Sequence, residues 1–209
     1  MELASLSRNA WFPIEMKKNQ TLLRRLKGFR RPKYGQKAGL APATAEYVGD
    51  PREFKPWFDV MDYGENHFEE KFKLGIENAQ EIFSDQHVRW INVTGLHDIA
   101  LIDKLGEVLC LHGLVKEDIV HTYQRPKLDE YDDYLYVVVK MLSFDNQENA
   151  LKSEQLSIVL KGNTIVTFIE DEGDIFDELR ERIRKGNIKL RRSGAEYLLY
   201  CILDTLVDN

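Results

Sequence analysis

The chain has 209 residues, 43% of them hydrophobic, and a net charge of −6, a composition typical of a globular domain with a packed core. It has no apolar run of about 20 residues, the length that a membrane-spanning helix needs, and residues 1–30 lack the apolar segment of a signal peptide. The two cysteines, Cys110 and Cys201, lie in apolar patterns, so we expect buried, reduced thiols rather than a disulfide.

The charge is distributed unevenly along the chain. Residues 1–45 carry ten lysines and arginines against two glutamates, a net charge of +8, which leaves −14 on residues 46–209. Glycines and prolines interrupt the basic segment, so we expect a poorly ordered extension; contact with an anionic membrane or another polyanion is the alternative. The acidic body is expected to attract cations and not to bind nucleic acid.

The first half of the body is predicted to begin with strands and continue with helices. Apolar and β-branched residues indicate strands at 57–63, around 68–74 and at 90–93. From residue 98 the apolar residues recur at helical spacing, which predicts an amphipathic helix over 98–111. A second helix is predicted over about 114–122, ending before Pro126.

The second half repeats this order. Strands are predicted at 134–142, 155–160 and 164–169, and a helix at 175–183. Residues 193–209 predict a last amphipathic helix, with Asp204 and Asp208 opposite its apolar stripe. Because this pattern is still running at Asn209, we expect the segment to lead into a longer helix of a larger protein. The alternation of strands and helices predicts an α/β domain with a mixed sheet covered by helices.

Familiar catalytic motifs are absent from the sequence. There is no G-x-S-x-G, P-loop, H-E-x-x-H or G-x-G-x-x-G pattern, so we expect the chain not to be an enzyme. The five histidines are scattered and none pairs with a cysteine at a spacing typical of zinc sites: His67, His87, His97, His112 and His121.

Carboxylates are the remaining candidates for a functional site. Glu117 and Asp118 lie near the start of the second helix, where acids also simply favour the positive end of the helix dipole. Asp204 and Asp208 fit a solvated helix face equally well, and a further acidic cluster lies at 129–133. The functional interpretation is that acids of both helices meet and hold Mg²⁺, which takes oxygen ligands and keeps several waters.

Five short blocks, in this order and spacing, resemble the cytoplasmic domain of the CorA magnesium and cobalt transporters. They are residues 90–96 (Trp-Ile-Asn-Val-Thr-Gly-Leu), 111–119 (Leu-His-Gly-Leu, then Glu-Asp-Ile), 124–127 (Gln-Arg-Pro-Lys), 153–157 (Ser-Glu-Gln-Leu-Ser) and 197–204 (Tyr-Leu-Leu-Tyr, then Leu-Asp). The resemblance covers 46–209. It departs at Gly113, where the family usually has proline.

The resemblance implies an α/β/α sandwich over 46–192 and, at 193–209, the start of a helix leading toward a stalk. The family forms homopentameric channels at the cell's inner membrane, with regulatory domains on its cytoplasmic face. There, divalent cations bound between neighbouring domains hold the channel closed. Asp118 corresponds to a ligand of one such site, and Glu117 and Asp204 to ligands of a second. The implied regulatory cation is Mg²⁺, with Co²⁺ as an alternative.

Two other functions remain open on the sequence. One is the cytoplasmic domain of a related zinc transporter. The other, of a different class, is a hydrolase that uses clustered carboxylates and a metal, for which the sequence offers no recognisable nucleophile or general base.

Overall fold

The computed structural model describes residues 47, 52–82, 86–145 and 149–208. The predictions for the basic extension 1–45 lie outside these residues. Within the described part of the chain, no helix combines the length and the apolar character needed to cross a membrane.

One mixed sheet of seven strands forms the centre of the fold, in the order β2-β1-β3-β7-β6-β5-β4. The pairing of β3 with β7 is parallel and the other pairings are antiparallel. The strands are β1 (Trp57–Gly64), β2 (His67–Leu74), β3 (Val88–Thr94), β4 (Lys127–Glu130), β5 (Leu135–Asp145), β6 (Ala150–Lys161) and β7 (Thr164–Ile169).

Helices cover both faces of this sheet. They are α1 (Ile99–Val108), α2 (Gly113–Val120), α3 (Asp177–Arg184), α4 (Ile188–Arg192) and α5 (Ala195–Asp208), and a 3₁₀ helix spans Ile76–Ile82. Side chains of Ile91 and Val93 on β3 pack with α1 and α2 in one core, whereas Trp90 packs with α3 and α5 in another. Successive residues of a strand point to opposite faces, so a single buried strand serves both cores. The predicted α/β/α sandwich with a mixed sheet is therefore confirmed.

The structure adds two elements that the sequence did not predict, β4 and α4, and it corrects one prediction. Cys110 is exposed, not buried, while Cys201 is buried as predicted. Cys110 lies just after α1 with a positive φ of 55°, a left-handed conformation that does not continue the helix. The helical spacing of apolar residues predicts a first helix over 98–111, whereas α1 ends at Val108.

Candidate functional site

Helix α2 carries two of the three predicted metal ligands. It begins at Gly113, and the Nδ1 atom of His112 accepts a hydrogen bond from the Leu114 N–H at 3.2 Å, which caps the helix. Val115, Ile119 and Val120 are buried against the sheet. Glu117 and Asp118 are half-buried on the same short helix. The apolar face of α2 therefore fixes where its two carboxylates lie.

Asp118 is bound on both of its carboxylate oxygens within its own chain. Its Oδ2 lies 2.6 Å from the Lys127 ammonium, and its Oδ1 accepts a hydrogen bond of 2.6 Å from the Gln124 amide. Lys127 also contacts Asp129 at 2.6 Å. Burial lowers the pKa of Lys127, but its hydrogen bonds to Asp118 and Asp129 outweigh this and raise the pKa above its ordinary value. Lys127 is therefore a built-in counter-ion for Asp118.

The fully buried side chain of Gln155 holds Asp118 from the sheet below. Its Nε2 donates to the Asp118 carbonyl at 2.9 Å, and its Oε1 accepts from the Gln124 N–H at 3.1 Å. One side chain of β6 thus fixes both the end of α2 and the loop that follows it. Gln155 belongs to the block 153–157 that carries the family resemblance, and the structure gives that block this positioning role.

Glu154 and Glu170 form an acidic pair next to Gln155. The Glu154 Oε1 accepts the backbone N–H groups of Glu170 and Asp171, each at 2.9 Å, and the Glu170 carboxylate accepts the Gln155 N–H at 2.8 Å. Burial, assisted by the neighbouring charge of Glu170, raises the pKa of Glu154 to about 7. Burial also raises the pKa of Glu170. A proton is therefore held at this junction of β6 and β7 near neutral pH.

The pair makes the stability of the fold depend on pH. Between about pH 4.5 and 7 the folded chain keeps the Glu154 proton and the unfolded chain releases it, so the free energy of unfolding falls as the pH rises. Glu154→Gln keeps the accepting oxygen and removes the charge. As the pH rises from 4.5 to 8, we expect the free energy of unfolding of this variant to increase by about 1–2 kcal/mol relative to that of the native chain. Urea denaturation measures this difference. An exposed control, Glu53→Gln, should follow the native curve; equal curves for both variants would contradict the assignment.

The third predicted ligand lies on the other side of the sheet. Asp204 is exposed on α5, and its Oδ1 accepts a hydrogen bond of 3.2 Å from the Tyr200 hydroxyl, which raises the pKa of Tyr200. Helix α5 packs in the core opposite to that of α2. One copy of the chain therefore does not bring Asp204 together with Glu117 and Asp118. Asp208 is also exposed on α5.

The acidic cluster at 129–133 is partly neutralised in the structure. Asp129 contacts Lys127, and Asp133 lies 2.7 Å from the Lys161 ammonium. Lys161 also donates to the carbonyl of Leu109 at the end of α1. Asp129 thus pairs within its own strand, whereas Asp133 attaches the β4–β5 loop to Lys161 at the end of β6.

A separate cluster, which the spacing of its residues along the chain does not predict, joins β1, β2 and the start of β3. Asp62 on β1 is 4% exposed, and its Oδ2 is bound by the Arg89 guanidinium, with the Arg89 Nε at 2.8 Å. Its Oδ1 lies 3.6 Å from the Nε2 of His67 and 3.5 Å from the Nδ1 of His87. The two imidazoles are stacked, with ring centroids 4.1 Å apart. Only the strand register brings together two histidines that are 20 residues apart in the chain.

Comparisons with known proteins agree with this fold and with the resemblance. Residues 85–209 match the family model of the CorA-like Mg²⁺ transporter protein. The chain is 38% identical over 174 residues to the cobalt/magnesium transport protein CorA of Thermotoga maritima, covering 83% of this chain and 49% of that protein. The chain thus spans about half the length of that relative.

Solved structures show the same fold at low sequence identity. The complete CorA magnesium transporter of Methanocaldococcus jannaschii aligns with a TM-score of 0.52 at 19% identity, over 71% of this chain and 44% of that one. The ZntB cytoplasmic domain of Vibrio parahaemolyticus aligns with a TM-score of 0.52 at 12% identity, over 72% and 58%. The family model covers more than half of the sequence, and the chain therefore belongs to the family of CorA-like Mg²⁺ transporter proteins.

Proposed function

We propose that the chain is the cation-sensing regulatory domain of a homopentameric CorA-type Mg²⁺/Co²⁺ transporter, located on the cytoplasmic face of the membrane. In this proposal five copies form a ring, and the remaining part of the protein attaches that ring to the membrane. Glu117, Asp118 and Asp204 are the proposed ligands of regulatory Mg²⁺. The proposal rests on family membership and on the placement of these three carboxylates.

The observation that carries the proposal is that these carboxylates lie on opposite outer layers of the sandwich. A closed ring of identical copies is built from head-to-tail contacts, in which one face of a copy meets a different face of its neighbour. Acids on α2 of one copy and on or beyond α5 of the next are therefore suited to meet at a shared boundary. Within one copy they remain apart.

The donor atoms fit a hard dication. All three proposed ligands offer carboxylate oxygens, and Mg²⁺ needs only one or two of these because it keeps several waters. A bound dication supplies the positive charge that lets facing carboxylates stay close. Without it, Glu117 and Asp118 repel acids of the neighbouring copy, and the boundary loosens. The equilibrium between a closed, symmetric ring and a looser one then follows the internal Mg²⁺ concentration.

Lys127 affects how tightly Asp118 binds Mg²⁺. Its ammonium already neutralises Oδ2, so Mg²⁺ has to compete with Lys127 for Asp118. This competition lowers the affinity of Asp118 for Mg²⁺. Substitutions of Asp118 and of Lys127 are therefore expected to change the affinity for Mg²⁺ in opposite directions.

The test uses limited proteolysis of the longer, membrane-bound protein at increasing Mg²⁺ concentration. We expect Asp118→Asn to move the midpoint of Mg²⁺ protection about tenfold upward, and Lys127→Met to move it downward, because one removes the ligand and the other its competitor. Asp103→Asn is a matched control: Asp103 also pairs with a lysine, Lys116, at 2.8 Å. Unchanged midpoints for both Asp118 and Lys127 variants would contradict the proposal.

Related measurements distinguish the proposed function from two others. In a zinc transporter, Zn²⁺ and not Mg²⁺ would produce the protection at physiological concentrations. In a carboxylate-dependent hydrolase, phosphatase or esterase substrates would turn over with Mg²⁺ or Mn²⁺, and Asp118→Asn would abolish the turnover.

A further inference from the structure

The cluster of Asp62, His67 and His87 has the composition of a transition-metal site. Imidazole nitrogen suits Zn²⁺, Co²⁺, Ni²⁺ and Cu²⁺, whereas Mg²⁺ and Ca²⁺ prefer oxygen ligands throughout. Two imidazoles and one carboxylate leave a fourth tetrahedral position for water or another ligand. The three ligand atoms all lie within 4.8 Å of one another.

The distances are close to those of a bound zinc ion. Two ligands that each lie about 2.0–2.1 Å from a tetrahedral metal are separated by roughly 3.3 Å. The Asp62 Oδ1 lies 3.6 Å from the His67 Nε2 and 3.5 Å from the His87 Nδ1. These separations exceed normal hydrogen-bond lengths and are within a few tenths of an ångström of a metal-bridged pair.

A second observation, at the Asp62 carboxylate, also points to a cation ligand. The Asp62 side chain is 5% exposed, and its Oδ1 has no hydrogen-bond partner among the described residues, although it faces the two imidazoles. A buried carboxylate oxygen without a partner costs free energy, and a cation supplies the compensation. Arg89 meanwhile orients the carboxylate through the other oxygen, as an outer partner does for a metal ligand.

The backbone is built to bring the three side chains together. Gly64 pairs with His67 across the β1–β2 hairpin, and Tyr63 pairs with Val88, the residue after His87. A Cβ atom on Gly64 would lie 2.9 Å from the His87 ring, so glycine leaves the room that this ring occupies. The imidazoles are 37% and 32% exposed, and each places a ring nitrogen within 3.6 Å of the Asp62 Oδ1.

We propose that Asp62, His67 and His87 form a site within one chain for a divalent first-row transition metal of the Zn²⁺ or Co²⁺ class. The metal fastens the β1–β2 hairpin to the start of β3. This site is independent of the proposed Mg²⁺ ligands Glu117, Asp118 and Asp204, and differs from them in ligand type. Because it is complete within one copy, it does not require the ring.

The test is calorimetric titration of the untagged, metal-free chain with ZnCl₂, together with the visible absorption of its CoCl₂ complex. We expect one equivalent of Zn²⁺ to bind, and His67→Gln, His87→Gln and Asp62→Asn each to lower the affinity at least about tenfold. Cobalt should give the intense visible bands of a tetrahedral site. Zn²⁺ should also raise the Tm of the native chain but not of the three variants, because the metal binds only the folded site.

His112→Asn is the matched control, since it removes an exposed imidazole while asparagine still caps α2. This control should bind Zn²⁺ as the native chain does. If the native chain binds no stoichiometric Zn²⁺, the proposal fails. It also fails if binding is equally strong in all variants, which would place the metal elsewhere. Circular dichroism spectra of His67→Gln and His87→Gln serve to check that both variants are folded.

Discussion

Gln155→Leu is expected to lower the free energy of unfolding by about 3 kcal/mol, because it removes hydrogen bonds to partly buried backbone groups of two other elements. The Gln155 amide binds the Asp118 carbonyl and the Gln124 N–H, and leucine binds neither. Each buried polar group that loses its partner costs about 1–3 kcal/mol. Denaturation in urea at constant pH measures the loss.

The matched control is Gln80→Leu, the same chemical change at an exposed position of the 3₁₀ helix. Its effect should stay within about 0.5 kcal/mol, as for most surface substitutions. Because the Gln155 variant also releases the end of α2, the proposed function predicts weaker Mg²⁺ protection of the proposed transporter even at temperatures where the domain is folded. A Gln155 variant as stable as the native chain would show that solvent satisfies the Asp118 carbonyl and the Gln124 N–H.

Arg180→Met is expected to destabilise the fold by about 3–5 kcal/mol, because it leaves a buried carboxylate without its counter-ion. The Asp174 side chain is 3% exposed, and the Arg180 guanidinium binds both of its oxygens, at 2.7 and 2.5 Å. The same guanidinium lies over the Trp90 ring, 5.1 Å from its centroid. Asp174 also accepts the Phe176 N–H just before α3, so this pair holds the helix on the sheet.

Arg180 has a second partner that provides an internal control. Asp177 lies 3.0 Å from the same guanidinium, but its side chain is 90% exposed. Asp177→Ala should therefore cost no more than about 1 kcal/mol. Adding Asp174→Asn to the Arg180→Met variant should recover part of its lost stability, since the stranded charge is removed. Equal losses of stability in the Asp177 and Arg180 variants would contradict the explanation that burial makes the Asp174–Arg180 pair costly to break.

Most of the layer architecture could be predicted from apolar periodicity. The apolar stripe over 98–111 reflects burial on one helix face, and the nearly continuous apolar run of β3 reflects burial on both faces of the sheet. By contrast, β4 has the sequence Lys-Leu-Asp-Glu and α4 the sequence Ile-Lys-Leu-Arg-Arg, and both are short and mostly polar. Tertiary contacts, and not local pattern, decide their conformation.

The candidate sites likewise divide into residues that the sequence predicts and contacts that only the structure shows. Glu117, Asp118 and Asp204 could be named from short blocks of sequence, but the pairing of Asp118 with Lys127 depends on the loop after α2. The cluster of His67 and His87 depends on which residues of three strands face one another. Register is fixed by the whole sheet, so a scan of ligand spacing along the chain could not find it.

The most direct test of the shared-cation model is anomalous scattering from crystals of the longer protein grown with Co²⁺. The model predicts a peak about 2.1 Å from the Asp118 carboxylate of one copy and equally near an acid of its neighbour. A peak beside His67 and His87 alone would support the intrachain site and contradict the intersubunit one. No Co²⁺ at any boundary between copies, with Asp118 still paired to Lys127, would show that the ring is not held by a shared dication.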